Sequence, residues 1–141
     1  IADYMKVHQE GIKVQTKKLN DFVKITEDIQ KVVGKSKINK GIASANSLHN
    51  TATVIIQEAD PTIFQDTLAL FERILPSSGK YKHIEEGPEN AAAHQKQNLL
   101  GNSISIPVRD GKLALGTWQD VFLLEFFEPR QREVIVTILG D

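Results

Sequence analysis

The chain has 141 residues and a formal net charge of −1, with 40% hydrophobic and 25% charged residues. This composition is typical of a soluble globular domain, and the near-zero charge excludes a general nucleic-acid binder, which needs a basic surface. The chain contains no cysteine, which excludes disulfides, thiolate nucleophiles and thiolate metal sites.

The sequence also contains no obvious membrane or export signal. No apolar run approaches the roughly 20 residues that a membrane-spanning helix needs. Residues 1–10 contain no apolar signal-peptide core. We therefore expect one domain over residues 1–141, located in the cytoplasm, with neither a membrane nor a nucleic acid as partner.

The first predicted unit is strand, strand, helix. Residues 11–16 alternate apolar and polar side chains, and residues 22–25 form a short apolar run, so both are predicted strands. Turn residues at 20–21 predict that the two strands form an opening hairpin. Thr26 is predicted to cap a helix that ends at Gly34.

A second strand, strand, helix unit follows, and then a third helix. Residues 41–46 predict a weak strand, because alanine and serine dominate them, and residues 51–57 predict a stronger one. Asp60, followed by proline, predicts the start of a long helix. Asn90 is predicted to cap a shorter helix over residues 91–100.

The C-terminal third predicts four strands. They are short, rich in β-branched or aromatic residues, and cover residues 104–108, 113–115, 121–127 and 134–139. The Asp110-Gly111 turn predicts a hairpin between the first two.

The order of these elements predicts an α+β fold with a largely antiparallel sheet, because strands and helices do not alternate as in a doubly wound fold. Residues 121–127 are apolar on both faces of the predicted strand. One face can pack against helices, and we expect the other to form a subunit interface.

Three histidines are the strongest candidates for chemistry. His49 precedes a predicted strand, His83 lies in a polar loop, and His94 lies on the third helix. Neutral imidazoles from three different elements can form a catalytic zinc site with an open fourth position. The alternative is that they are surface histidines without a shared function, since no local metal motif connects them.

Two carboxylates are further candidates for catalysis. Glu58 ends an apolar strand and Asp66 lies on the long helix, so either could act as a general base or orient a histidine. The alternative is that both are solvated surface groups.

Arg130 and Arg132 are two residues apart on a predicted strand, so we expect both to point to one face. Paired guanidinium groups can bind a phosphate in bidentate fashion. Together with Thr51 and Gln119, they are the predicted substrate- and phosphate-binding residues. The structural alternative is that the arginines bridge to carboxylates such as Glu125 or Glu128.

The chain resembles the YjbQ-like family from about residue 11 to its end. The residues that carry the resemblance are Ile25-Thr26, His49, Thr51-Ala52, Glu58, Asp66, Tyr81-Lys82-His83, Asn90, Ala93-His94, Leu99-Leu100-Gly101, Leu115-Gly116-Thr117-Trp118-Gln119, Glu125, Arg130 and Arg132.

This resemblance implies a sheet curled into a half-barrel with helices packed on one face, and a homotrimer with a cleft near the subunit boundary into which the three histidines project. It implies that His49, His83 and His94 either hold a divalent metal ion, zinc or magnesium, or supply acid-base groups for catalysis. Some members are described as secondary thiamine-phosphate synthases, which join a pyrimidine pyrophosphate to a thiazole phosphate. The alternative is a non-catalytic trimer that binds a small anionic or phosphorylated metabolite.

The chain departs from the family pattern at two places near these residues. Asn50 stands where the family usually has threonine, and Phe126-Phe127-Glu128 occupies a stretch that usually contains an aspartate. The departures affect the expected site chemistry and not the expected fold.

Overall fold

The computed structural model describes residues 4–141. Within them the chain forms eight strands and three helices in the predicted order, which confirms the α+β class. They are β1 (Lys6–Gln15), β2 (Asp21–Lys24), α1 (Thr26–Ser36), β3 (Lys40–Ser47), β4 (Ala52–Gln57), α2 (Pro61–Ile74), α3 (Pro88–Leu100), β5 (Ser103–Arg109), β6 (Lys112–Leu113), β7 (Asp120–Glu125) and β8 (Gln131–Gly140).

The strands form two antiparallel sheets that together curl into a half-barrel. The larger sheet has the order β1-β8-β3-β5-β6, and the smaller has the order β2-β7-β4. The predicted β5–β6 hairpin is confirmed: Val108 pairs with Leu113, and Asp110 and Gly111 both have positive φ, as a tight two-residue hairpin turn requires.

The predicted opening hairpin is wrong. β1 pairs with β8 along its whole length, from Lys6 with Gly140 to Gln15 with Gln131, whereas β2 pairs with β7 in the other sheet. The turn at residues 20–21 therefore carries the chain from one sheet to the other. Local turn residues cannot distinguish these outcomes, because the partners of both strands lie near the other end of the chain, in β8 and β7.

The smaller sheet is buried on both faces. Val121 and Leu123 of β7 pack into the core that α1 shares with the larger sheet. Leu124 and Phe126 lie in a second core that also contains Phe71 of α2 and Ala93 of α3. The two-faced apolar pattern of residues 121–127 is thus satisfied inside one chain. The interpretation of that pattern as a subunit interface was wrong, because α2 and α3 supply the second cover.

The helix starts confirm one predicted cap and correct two. Asp60 accepts a hydrogen bond from the Thr62 backbone N–H at 2.8 Å, as predicted for the cap of α2. Thr26 is instead the first residue of α1, and its hydroxyl donates to Asp120 at 2.7 Å. α3 begins at Pro88, so Asn90 lies inside the helix. None of the helices within residues 4–141 is long and apolar enough to cross a membrane.

Candidate functional site

His83 and His94 lie side by side. His94 projects from the middle of α3, and the loop before α3 brings the His83 ring to a centroid distance of 4.8 Å in a T-shaped arrangement. Burial and the positive charge of a protonated His83 lower the pKa of His94 below its ordinary value of 6.5. His94 is therefore a neutral imidazole at pH 7, able to donate one hydrogen bond and accept another.

His49 lies between the end of β3 and the start of β4, and its surroundings hold it firmly. Its ring Nε2 accepts the backbone N–H of Glu133 at 2.9 Å, and its backbone N–H donates to the Ser47 hydroxyl at 3.2 Å. Burial and the nearby positive charges of Arg132 and Arg130 lower the pKa of His49. Because Nε2 is an acceptor, the ring proton resides on Nδ1.

The structure brings together two of the three predicted metal-binding histidines within one chain. Among residues 4–141, no group of three histidine, aspartate or glutamate side chains is placed to hold a metal ion. His49 does not fit the role, because its Nε2 already accepts a hydrogen bond and its Nδ1 carries the proton. Within one chain the structure therefore pairs His83 with His94 and leaves His49 apart from a metal role, and a site that all three histidines share stays a prediction.

A polar cleft of about 290 Å³ adjoins His49 and the C-terminal half of α3. Gln97, one turn after His94 on the same helix, donates from Nε2 to the backbone carbonyl of His49 at 3.1 Å. This contact ties α3 to the loop that carries His49. Gln97 was missed in the sequence, although its three-residue spacing from His94 places both on one face of α3.

The predicted phosphate role of Arg132 is wrong, because its side chain is only 2% exposed. Its Nε donates to Glu125 Oε1 at 2.7 Å. Its Nη2 donates both to Glu125 Oε2 and to the Thr51 hydroxyl, the second contact at 2.9 Å. Arg132 and Thr51 are therefore structural, and the alternative of a bridge to Glu125 is the geometry observed.

Glu125 is fully buried, and protein groups satisfy its carboxylate. Besides Arg132, it accepts the Thr16 hydroxyl at 2.7 Å and the Phe127 backbone N–H at 3.1 Å. We call Arg132, Glu125, Thr16 and Thr51 the buried polar network. It connects the end of β1, the starts of β4 and β8, and the end of β7.

Arg130 differs from Arg132 because it precedes β8 and remains accessible. Its side chain is 46% exposed, and its only charged neighbour within 4 Å among residues 4–141 is the exposed Glu128, at 3.5 Å. Its guanidinium lies 5.8 Å from the centre of the Phe127 ring. The two arginines therefore do not share one face, and of the two only Arg130 keeps its guanidinium accessible to an anion.

The remaining predicted residues are not brought to the histidines. Asp66 is exposed on α2, and Glu58 is half-buried beyond the end of β4. Neither carboxylate hydrogen-bonds a histidine within residues 4–141. Gln119 uses its side-chain oxygen to accept the Gly116 backbone N–H at 2.8 Å, which closes an exposed turn next to Trp118.

The chain is similar to a described family over nearly its whole length. The family model for the UPF0047 protein YjbQ-like group matches residues 10–141. A UPF0047 protein of Synechocystis is 40% identical and covers 99% of this chain and 97% of its own. A UPF0047 protein of Methanocaldococcus jannaschii is 39% identical and covers 91% of both chains.

Solved structures show the same fold. A protein of Sulfolobus solfataricus, described as YbjQ-like and of unknown function, is 36% identical, with a TM-score of 0.92 over 98% of this chain and 100% of its own. A family protein of Clostridium acetobutylicum is 37% identical, with a TM-score of 0.85 over 92% and 98% of the two chains. These likenesses establish ancestry and fold, and their descriptions assign no activity.

Proposed function

Because the chain belongs to the UPF0047 protein YjbQ-like family, we propose that its histidine region acts on a small phosphorylated metabolite in the cytoplasm. The reaction class is the one that the family resemblance implies. A pyrimidine group is transferred from its pyrophosphate ester to the ring nitrogen of a thiazole phosphate, so that thiamine phosphate forms and pyrophosphate leaves.

The observation that carries this proposal is the His83–His94 pair, at 4.8 Å between ring centres. Neither ring is hydrogen-bonded to a carboxylate within residues 4–141, so their polar atoms are available to a ligand. Neutral imidazole N–H groups can donate hydrogen bonds to a departing pyrophosphate without first taking up a proton. The exposed guanidinium of Arg130 supplies a positive charge for the same kind of anion.

Replacing Arg130 with alanine should weaken the binding of inorganic pyrophosphate about 10- to 100-fold. A charge-assisted hydrogen bond contributes roughly 1.5–3 kcal/mol, and every 1.4 kcal/mol changes the dissociation constant about tenfold. Lysine at position 130 should restore binding only in part, because it lacks the planar fork of arginine. Isothermal titration calorimetry measures the three affinities.

The matched control for Arg130 is Arg73→Ala, which removes another exposed arginine, from the last turn of α2. It should leave pyrophosphate affinity unchanged. In both alanine variants the free energy of unfolding should stay within about ±0.5 kcal/mol of the wild-type value. Equal losses in the two alanine variants would show only a general effect of net charge. Unchanged affinity in Arg130→Ala would remove this arginine from the site.

We propose that His83 and His94 are the two residues of this chain that bind a divalent metal ion. Imidazole ligands suit zinc better than magnesium, which prefers oxygen ligands. We propose that a neighbouring subunit supplies the additional ligand, since within residues 4–141 one chain places no third histidine or carboxylate where it could share a metal ion with the pair. A bound zinc ion would provide positive charge for the phosphate oxygens.

The alternative function is a trimeric protein that binds a phosphorylated metabolite without converting it. The positions of Glu58 and Asp66 favour it, since neither orients a histidine as a catalytic carboxylate would. Turnover separates the two functions: a binding protein takes up pyrophosphate but forms no thiamine phosphate from the two precursors.

We propose that the outer face of the larger sheet mediates homotrimer formation. Val7, Leu139, Ile42 and Pro107 are paired in register across β1, β8, β3 and β5. The first three side chains are 65%, 40% and 51% exposed. A cleft of about 390 Å³ adjoins Ile42 and Leu139. An exposed apolar row of this kind is typical of a surface that another protein covers.

Replacing Ile42 with aspartate should convert the trimer to monomer, because three copies of the charge would be buried at the interface. Sedimentation equilibrium should give three times the chain mass of 15.7 kDa for the wild type and the single chain mass for the variant. Leu99→Asp is the matched control, since Leu99 is 57% exposed on α3 and away from this face. A monomeric wild type at micromolar concentration would contradict the trimer proposal.

A further inference from the structure

We propose that the cleft beside His49 is a subsite for an uncharged group that presents an N–H donor next to a hydrogen-bond acceptor. A primary carboxamide and the amide edge of a nitrogen heterocycle have this character. The inference adds a ligand subsite to the proposed function. It rests on that function only in taking this group and the phosphate to belong to one ligand.

The lining of the cleft excludes a formally charged group. The residues that line it are Ser47, His49, Asn50, Gln97, Asn98, Gly101 and Asn102. Apart from His49, which is held neutral, none of them is ionisable. A charged group placed in the cleft would therefore lose water without meeting a counter-ion among the lining residues, whereas an uncharged polar group would find several amide partners.

Gln97 supplies an acceptor that no protein group uses. Its side-chain Oε1 is buried and has no hydrogen-bond partner within residues 4–141. The orientation of the amide is fixed, because its Nε2 donates to the His49 carbonyl at 3.1 Å. Rotating the amide by 180° would place two oxygens against each other. A buried acceptor without a partner favours a ligand that brings an N–H group.

His49 supplies the complementary donor. Its Nε2 is occupied by the Glu133 backbone N–H at 2.9 Å, so its Nδ1 carries the proton. No protein group within residues 4–141 hydrogen-bonds Nδ1. Two residues that line the cleft therefore carry one unused acceptor and one unused donor, whose identities are set by their other hydrogen bonds. An amide group, with its N–H beside its carbonyl, matches this pair.

Benzamide and methyl benzoate form a probe pair that tests this directly. They have nearly the same size and both contain a carbonyl, but only benzamide has N–H donors. Titrations followed by amide chemical shifts should show benzamide perturbing His49, Gln97 and Gly101, with at least about tenfold weaker binding of the ester. Equal affinities for benzamide and methyl benzoate, or chemical-shift changes confined to other regions, would contradict the proposed subsite. This result needs only the wild-type protein.

Gln97→Leu removes the acceptor and should reduce benzamide affinity to that of the ester. Asn98→Leu is the matched control, because Asn98 lines the same cleft and its only side-chain hydrogen bond within residues 4–141 is a 3.4 Å contact to Gln95. This control should retain benzamide binding. Unchanged affinity in Gln97→Leu, with a wild-type-like spectrum outside the cleft, would also overturn the proposal.

Pyrophosphate added to the same samples distinguishes this inference from the proposed function. Benzamide binding without pyrophosphate binding would support the subsite and contradict a phosphorylated substrate. Pyrophosphate binding without selectivity for benzamide would leave the proposed function intact and refute the subsite.

Discussion

Replacing Arg132 with alanine is expected to lower the free energy of unfolding by about 3–5 kcal/mol, the usual effect of removing one partner from a buried ion pair. Glu125 is 0% exposed, so the variant would leave a buried carboxylate without its main cation. The hydroxyl of Thr16 and the backbone N–H of Phe127 would remain as its hydrogen-bond donors. Neither carries the charge that compensates the desolvation of the carboxylate.

Urea denaturation of Arg132→Ala measures this loss, and Arg130→Ala is the matched control. Arg130 is exposed, so its removal should change the free energy of unfolding by no more than about 0.5 kcal/mol. If the two variants are equally stable, the buried polar network does not have the energetic role that its geometry indicates.

A double variant tests whether Arg132 and Glu125 act as a pair. Arg132→Met combined with Glu125→Leu removes both charges, so its loss of stability should be smaller than the sum of the two single losses. The difference should be at least about 0.5 kcal/mol for residues in direct contact. We expect the double variant to remain less stable than the wild type, because Thr16 would lose Glu125 as an acceptor and Thr51 would lose Arg132 as a donor.

The buried polar network shows that the sequence spacing of Arg130 and Arg132 could not decide which way each side chain points. The two-residue spacing of Arg130 and Arg132 predicts one shared face only if both residues lie on the same strand. β8 begins at Gln131, so Arg130 lies in the preceding turn and Arg132 points inward. The identity of the inward partner depends on β7 and β8 being brought together by the turn at residues 126–130, which no local pattern specifies.

The fold was predictable where local signals and tertiary contacts agree. The long helix begins at Pro61 because the Asp60 cap and the proline act within one turn, and the Asp110-Gly111 hairpin likewise forms through local turn residues. The pairing of β1 with β8 could not be predicted in this way. It depends on the register of residues 6–15 with residues 131–140, and therefore on burial of one face of each strand.

The sequence indicated which residue types belong to the candidate site, but not which of these residues lie next to one another. His83 and His94 meet because the loop before α3 folds back on the helix. His49 is instead held by the backbone of Glu133, a contact between a side chain and a backbone N–H that leaves no pattern in the sequence. The orphan oxygen of Gln97 could likewise be found only with the fold in hand.

Under the proposed function, replacing His94 with alanine is expected to lower the rate of thiamine-phosphate formation about 100- to 1000-fold. This is the usual effect of removing one preorganised donor that stabilises charge developing on a departing group. The ring is held by α3 and by the adjacent His83 before a ligand arrives. The loss should appear in kcat more than in KM, because the charge on pyrophosphate grows as its bond to carbon breaks.

His8→Ala is the matched control, because His8 lies on β1, where its ring contacts Glu10. It should retain the wild-type rate, while His83→Ala should show an intermediate loss. Wild-type turnover in His94→Ala would exclude this histidine from the reaction, and no turnover in the wild type would favour the binding function instead.

The pH dependence of turnover gives an independent test of His94. Burial and His83 lower its pKa below 6.5, so any inflection of the rate that depends on His94 should lie below that pH. The neutral form should therefore predominate throughout the range from 6.5 to 8. Removing His83 takes away a positive neighbour, so His83→Ala should move the inflection upward, towards 6.5. An inflection above pH 6.5 that disappears in His94→Gln would contradict this assignment, because it would require His94 to be stabilised in its charged form.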